Sequence, residues 1–445
     1  MSTEGLTMSI HTHPKNSLQE SFKDEFSGLL QNSSPWLAEL RKNSWSRYAE
    51  IGIPTARHEE WKYFNLSALT SRTLRPCAEA KISGLSALNE FLDGGDINIV
   101  FVNGAFSPEY STAQGLPKGL TIERLSQSAG AHADEIKEMF KRNSVNDPEP
   151  FVSLNTALHR DGVYLKVADK AVIAPVVHII HSFFVEDKDS AVFPRTVLSI
   201  GRSAQISVLE SFISLNDASY VVNAVTDIHA GENSVLNYYK SQADSPKALH
   251  IGAVRVTQDA NSQLEAFSLA VGAHSARNNI SVSSNGEGTD SILDGLYVLR
   301  GSQEVDNHTL IDHRQPNCTS HQLYKGILND QSHAVFNGKI FVQPIAQKTN
   351  SYQLNKHLLL GKDCRVDTKP QLEIFADDVK CTHGATIGQL NEDEVFYLQT
   401  RCISKQEAVK MLSRGFVDDL LDKLRDQNVR RKLSRLLARK IAILS

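Results

Sequence analysis

From about Gly162 to Leu390 the chain is written in short strands, among them VYLKV, APVVHIIHSFF, RTVLSI, ISVLESFISL, QLEAFSLAV and ILDGLYVLR, parted by polar turns such as GRSA, AGEN and SNGEGTDS. No other feature restricts the fold as much. Valine, leucine and isoleucine alternate with serine, asparagine and glutamate, so each strand buries one face and leaves the other to solvent. A sandwich and a stacked β-helix both satisfy this pattern. A sandwich needs tight hairpin turns, and Asn-Gly or Asp-Gly pairs are scarce, among them Asn103-Gly104, Asn285-Gly286, Asp294-Gly295 and Asn337-Gly338. A β-helix needs a recurring coil, and Gly338, Gly361 and Gly384 fall 23 residues apart, which favours it and predicts a coil of that length. Such a rod offers a long ridge for assembly, and its open edges need covering by helices or by a partner.

Composition removes several function classes. With 445 residues, 41% apolar and 22% charged, and a net charge of -4, the chain resembles an ordinary globular protein with room for two or three cores. It lacks the overall positive charge that nucleic-acid binding draws on. Cys77, Cys318, Cys364, Cys381 and Cys402 are sparse and odd in number, which argues for a reducing compartment and against a disulfide framework or a cysteine-box metal site. The start MSTEGLTMSIHTHPKNSLQ has no basic region followed by an apolar core. A cytoplasmic protein without a membrane or nucleic-acid partner is expected. Neither GxGxxG nor GxxxxGK[ST] is present, so any nucleotide hydrolysis is expected in another subunit.

Residues 1–150 read as a helical and mixed region. Amphipathic helices are predicted over Ser17 to Leu30 and Ser34 to Tyr48, the second capped by the Ser34 hydroxyl with Pro35 in its first turn. The arm PTARHEEWKYFNL follows, with Trp61, Tyr63 and Phe64 as anchors to the body. Ala78 to Phe91 and Ala129 to Phe140 read as helices, and INIVFVNG (97–104) as a strand and turn. Residues 151–400 are expected to form the β-helix core and residues 401–445 a C-terminal helical domain. There Ala408, Met411, Leu412, Phe416, Leu420 and Leu424 share a face, and Ser404 with Glu407 makes a capping box. A basic helix closes the chain with Arg430, Arg431, Lys432, Arg435, Arg439 and Lys440. Its charge suits an anionic surface, and its stripe of Leu433, Leu436, Leu437 and Ile441 suits a groove on a partner.

Two segments carry chemistry. Cys381 and His383, at i and i+2 of a strand, share a face, with Asp377 and Asp378 just upstream. A thiolate and an imidazole so placed can hold a soft metal or act as nucleophile and base, and they can equally be a buried cysteine beside a satisfied histidine. Asp377 and Asp378 are adjacent and so point to opposite sides, which speaks against a glycosidase pair. In DNHTLIDH, Asp306 and His308 share a face and Asp312 and His313 follow. That set suits a metal or hydrogen bonding between coils, and it lacks the HExxH spacing.

PTARHEEWKYFNL, DNHTLIDH, SHQLYKGILNDQSHAVFNGKIFV, QLNKHLLL, TKPQLEIFADDVKCTHGATIGQL and FYLQTRCISKQEA together resemble the SufB/SufD family, and most of all its SufD members, subunits of the Suf iron-sulfur cluster assembly complex. The resemblance covers about residues 35 to 430. It implies a right-handed parallel β-helix flanked by N-terminal and C-terminal helical regions. It also implies a non-catalytic subunit, not an enzyme, that pairs through the β-helix with a SufB-like paralogue and through its last helices with a SufC-like ATPase. A homodimer in isolation is compatible with it. Cys381 and His383 match positions placed at the paired interface, with His383 the better candidate iron ligand, and Glu407 to Leu424 matches the ATPase-docking region. Asn355 stands where the paralogue has a cysteine, and Gly384 where it has a glutamate. No cofactor held stably by the isolated chain is implied, only transient iron or an iron-sulfur cluster in the complex.

Overall fold

The computed structural model describes residues 17–78, 88–112, 114–127, 132–144 and 149–444. Its body is a parallel β-solenoid of about eight turns. One sheet runs β4 (Leu120–Arg124), β5 (Gly162–Val167), β8 (Arg195–Ile200), β10 (Tyr220–Ala230), β12 (Leu249–Gln258), β14 (Ser275–Ser284), β16 (Glu304–His313), β18 (His333–Val342), β20 (Arg365–Ile374). The other begins with β3 (Ala105–Phe106), β2 (Ile97–Val102), β6 (Val177–Phe183) and β9 (Gln205–Ser214). It continues β11 (Val235–Ala243), β13 (Gln263–Ala270), β15 (Asp290–Leu299), β17 (Thr319–Leu328), β19 (Asn350–Leu359), β21 (Lys380–Gln389). β1 (Arg75–Pro76) and β7 (Ser190–Val192) pair beside β10. The β-helix expectation holds. Only Asn103-Gly104 makes a hairpin, between β2 and β3, while Asp294-Gly295 and Asn337-Gly338 lie inside strands.

The expected 23-residue coil does not hold. Glu304 lies beside His333 and Thr319 beside Asn350, so one turn takes about 30 residues. Each turn contains two strands, most of them about ten residues long, longer than the apolar runs alone suggest. Gly338 sits in β18, Gly361 in the turn after β19, and Gly384 in β21, so the three glycines mark three different places. The repeat is written elsewhere. Two residues before β9, β11, β13, β15, β17 and β19 stands one residue in the left-handed region, successively Ser203, Asn233, Asn261, Gly288, Asn317 and Lys348. Asparagine and glycine bear that conformation at least cost. Each of these residues donates its backbone N–H to a carbonyl of the next turn, as Asn233 does to Ala260 (2.9 Å) and Asn317 to Gln347 (2.9 Å), so the hydrogen-bonded stack extends through the corners.

The rod's interior begins apolar. Ile179, Leu198, Val208, Ile228, Leu236, Val254, Leu264, Ile280 and Leu293 fill it, each such side chain contributing about 1.5–3 kcal/mol by leaving water. Further along it turns polar, and the inward residues pair between turns: Ser320 with Ser351 (2.6 Å) and Gln353 with Gln322 (2.6 Å). Helices Ser17–Gln31 and Pro35–Ile51 form as expected and pack by Phe26 stacking on Trp45 at 4.4 Å. Pro35 takes the first turn, but the Ser34 hydroxyl makes no capping bond. The helix read over Ala129 to Phe140 runs Ala133–Ser144, and most of that read over Ala78 to Phe91 lies outside the described residues. Three C-terminal helices, Glu392–Thr400, Lys405–Leu421 and Gln427–Ala442, follow β21. No described helix is long and apolar enough to cross a membrane.

Candidate functional site

The last turn of the solenoid is bare. Among the described residues β20 pairs only with β18 and β21 only with β19, and most of β21 is exposed. Pro370 in β20 fits this position, since a residue without an N–H is tolerated on an edge strand. Lys380 N donates to Thr349 O (2.8 Å), so the even-numbered residues of β21 face β19. Alternation then directs the N–H and C=O groups of Cys381, His383, Ala385 and Ile387 past the end of the sheet. An unpaired row of this kind is a template for another strand.

Cys381 and His383 do share a face, as their spacing predicts. They continue the inward columns of Ser351 and Gln353, their register partners. Cys381 packs against the cluster of Ile340, Val342, Ala346 and Ala376, and burial raises its thiol pKa above the ordinary value. His383 is exposed and makes no hydrogen bond to a described residue, Cys381 included. No cluster of three or more His, Cys, Asp or Glu groups able to hold a metal occurs among the described residues. These two donors are therefore an incomplete ligand set by themselves. Asn355 is fully buried and ties the two sheets together, donating to Tyr324 O (3.2 Å) and accepting from Thr368 Oγ1 (3.1 Å). Asp377 and Asp378 lie in the bend before β21 and not on a strand, and Gln347 Oε1 accepts from the backbone N of Asp378 (2.9 Å).

The DNHTLIDH segment is β16, and its polar side chains clamp the arm. His308 Nδ1 lies 3.2 Å from Glu60 Oε2, and its Nε2 lies 2.9 Å from Asp306 Oδ1. Arg277 donates to Asp306 Oδ2 and to Glu60 O, both at 2.6 Å, and its guanidinium lies 3.8 Å from the Trp61 ring centroid. Asn337 also donates to Glu60 (3.1 Å), and Lys369 on β20 pairs with Glu59. The arm thus crosses from β14 to the last turn. Trp61 and Phe64 are buried as expected, and Tyr63 only partly. A cleft of about 500 Å³ opens beside the clamp, lined by Glu60, Arg255, Arg277, His308, Arg314 and Lys339 among others.

The clamp is pH-dependent. The hydrogen bond from His308 holds Glu60 down to about 2. Burial works against the His308 cation, but Asp306 and Glu60 outweigh it and raise the His308 pKa. Stabilisation from the raised histidine is complete below its unfolded value of about 6.5 and is lost as pH rises through the folded value. That from Glu60 is complete above about 4.3 and is lost only near the folded value. Docking should be firmest between those limits. In a background with Trp36 and Trp45 changed to Phe, Trp61 emission should shift as pH rises above about 6.5, and His308→Gln should remove the shift. A flat wild-type profile over that range would contradict the clamp.

At the C-terminus the apolar stripe is already covered. Leu433, Leu437 and Ile441 are buried against Leu209, Tyr239, Phe267, Leu296 and Leu323 of the chain's own solenoid, so they do not offer themselves to a partner's groove. The basic charges are also used internally. Arg430 pairs with Asp422, Lys432 with Asp96, and Arg439 with Glu90 (3.0 Å), while Lys440 donates to Gln303 (2.6 Å). Ser404 caps its helix by accepting from Glu407 N (3.2 Å). Ala408, Leu420 and Leu424 are buried as expected, but Met411 is 52% exposed. Phe396 and Tyr397, 67% and 57% exposed on the preceding helix, add to this surface. The core boundary expected at residue 400 takes in that helix and hides these two residues, although the acidic start Glu392, Asp393, Glu394 after Asn391 is a helix-opening signal.

A parallel β-solenoid with helical regions at both ends, whose candidate ligands sit on an unpaired last turn, is a protein built to present an edge. The family description "SUF system FeS cluster assembly, SufBD core domain" matches residues 183–416, and "SufBD protein N-terminal region" matches residues 12–179. The chain belongs to the SufBD family, and with it to iron-sulfur cluster assembly. It is 30% identical over 430 residues to an iron-sulfur cluster assembly SufBD family protein of Synechocystis, covering 95% of this chain and 94% of that one. It is 31% identical over 399 residues to the iron-sulfur cluster assembly protein SufD of Escherichia coli, covering 86% and 88%. With SufD of Bacillus subtilis the identity is 23% over 440 residues, covering 96% and 99%.

Proposed function

We propose that this chain is a non-catalytic scaffold subunit of a Suf iron-sulfur cluster assembly complex. It pairs with a SufB-like paralogue through the open end of the solenoid and carries a SufC-like ATPase on its C-terminal helices. His383, with Cys381 behind it, contributes to iron acquisition and nascent cluster assembly where the two rods meet. The observation that supports this most is the bare strand β21, which carries an exposed imidazole among an incomplete ligand set. Iron is cargo here, held in passing, and a site divided between two chains loses half its ligands when the chains part. The exposed Phe396, Tyr397 and Met411 support docking of the ATPase subunit, because large apolar side chains left in solvent mark contact surfaces. A thiol enzyme is less well supported, since a nucleophilic cysteine needs a lowered pKa and a base in reach, and Cys381 has neither.

The test is co-expression with SufB-like and SufC-like subunits. His383→Ala should lower bound iron at least about tenfold, the scale of a lost first-row metal ligand or its support, while the subunit ratio on co-purification stays that of the wild type. Equal loss of iron and of partner would remove His383 from the proposed role.

A further inference from the structure

Gln353 lies directly beneath His383 in the stack, and one of its amide atoms has no hydrogen-bond partner among the described residues. The two are register partners on β19 and β21, and both side chains belong to the inward column. Gln353 is fully buried, and its Nε2 donates to Gln322 Oε1 at 2.6 Å. Its Oε1 has no hydrogen-bond partner among the described residues. A buried acceptor left so costs about 1–3 kcal/mol, so a fold that retains one has a reason to keep it. The space for this amide is provided from the opposite sheet. A Cβ on Gly338 would fall 2.4 Å from Gln353 Nε2, so the glycine leaves the amide room to lie across the interior. Going outward along the column, the next side chain is the imidazole of His383, which makes no hydrogen bond to a described residue.

We infer that Gln353 is a positioning residue for His383. Its Oε1 accepts the proton of one ring nitrogen, which fixes the tautomer and turns the other nitrogen, with its lone pair, outward to the edge where a metal would be met. Metal-binding histidines generally donate their second N–H to such an acceptor, and losing it costs about 10–100-fold in affinity. The ordinary separation of neighbouring strands, about 4.8 Å, leaves only a side-chain rotation between the present arrangement and the hydrogen bond. The inference rests on the reading of His383 as an iron ligand, but the tautomer is measurable without iron.

The experiment uses the full-length chain with 15N-labelled histidine, the His383 signals being assigned by their loss in His383→Ala. Wild type should show a single neutral tautomer of His383. Gln353→Met, close in shape but without a strong acceptor, should show a mixture. Gln353→Glu should restore the single form, because it keeps an acceptor and the idle Nε2 of Gln322 can turn to donate to it. In the co-expressed complex Gln353→Met should lower iron affinity about tenfold, with the partners still co-purifying, and Gln353→Glu should recover most of it. An unchanged single tautomer in folded Gln353→Met, or a mixture in wild type, would overturn the inference and leave His383 as a ligand. Full iron in His383→Ala would instead remove the reading beneath it, whatever the tautomer.

Discussion

Asp227→Ala should lower the unfolding free energy by about 3–5 kcal/mol, the cost of breaking a buried ion pair from one side. Asp227 on β10 and Arg195 on β8 are both 0% exposed and directly paired. Arg255 on β12, also buried, reaches the other oxygen of Asp227 at 2.7 Å. Removing the carboxylate takes away the charge that both guanidinium groups share. Arg195 also donates to Asn155 (3.1 Å) and Thr156 (3.0 Å) of the helix Pro150–Leu158, and Asn155 returns a bond to Asn223 O (2.7 Å). The charge pair therefore seats the N-terminal region on the solenoid as well as joining three strands of it. The exposed pair Arg414–Asp418 gives the contrast, since its removal should cost no more than about 0.5 kcal/mol. Urea unfolding compares the two. A midpoint for Asp227→Ala equal to that of Arg414→Ala would show that the buried cluster contributes no more than a surface pair.

Ala385→Pro should weaken partner binding strongly while leaving the fold intact. The even-numbered residues of β21 bond to β19, so the N–H of Ala385 points past the end of the sheet and its loss breaks nothing within the chain. Proline there removes one donor from the proposed joint and places a ring where the incoming strand would lie. Co-purification of the SufB-like partner should fall at least about tenfold, since a lost hydrogen bond and a steric block together exceed 1.4 kcal/mol. Thr386→Pro is the opposite case. Its N–H is turned toward β19, so it should loosen the last turn and lower stability. If Ala385→Pro assembled normally, pairing would not run through this edge.

The fold was legible where chemistry repeats simply. Alternation in segments such as VYLKV and RTVLSI identified strands, and scarce hairpin turns pointed away from a sandwich, but the expected solvent face is absent there: Tyr164 and Val197 are covered by Ile136, Met139 and Phe140 of the helix Ala133–Ser144. The coil length was misread because glycine does several jobs. Gly338 makes room for Gln353 and Gly361 clears the backbone of Asp330, so their even spacing carries no period. The true period is set by the residue before each corner, and that position accepts serine, asparagine, glycine or lysine, too varied to recognise by eye. Strands seemed short because inward Gln353, Asn355 and Glu210 break the apolar alternation, yet pair between turns once stacked. The stripe of Leu433, Leu437 and Ile441 announced a buried face without saying which chain buries it. Cys381 and His383 were found by strand spacing alone. That their strand is the last one depends on the whole stack, and no local pattern holds that information.

The proposal that β21 mates with a sister rod is tested most directly by hydrogen exchange at its backbone amides, with and without the SufB-like subunit. The account predicts that the N–H groups of Cys381, His383, Ala385 and Ile387 exchange freely in the isolated chain and become protected on pairing, while those of the even-numbered neighbours change little. Unchanged exchange along β21 in a formed complex, with protection appearing elsewhere on the chain, would contradict it.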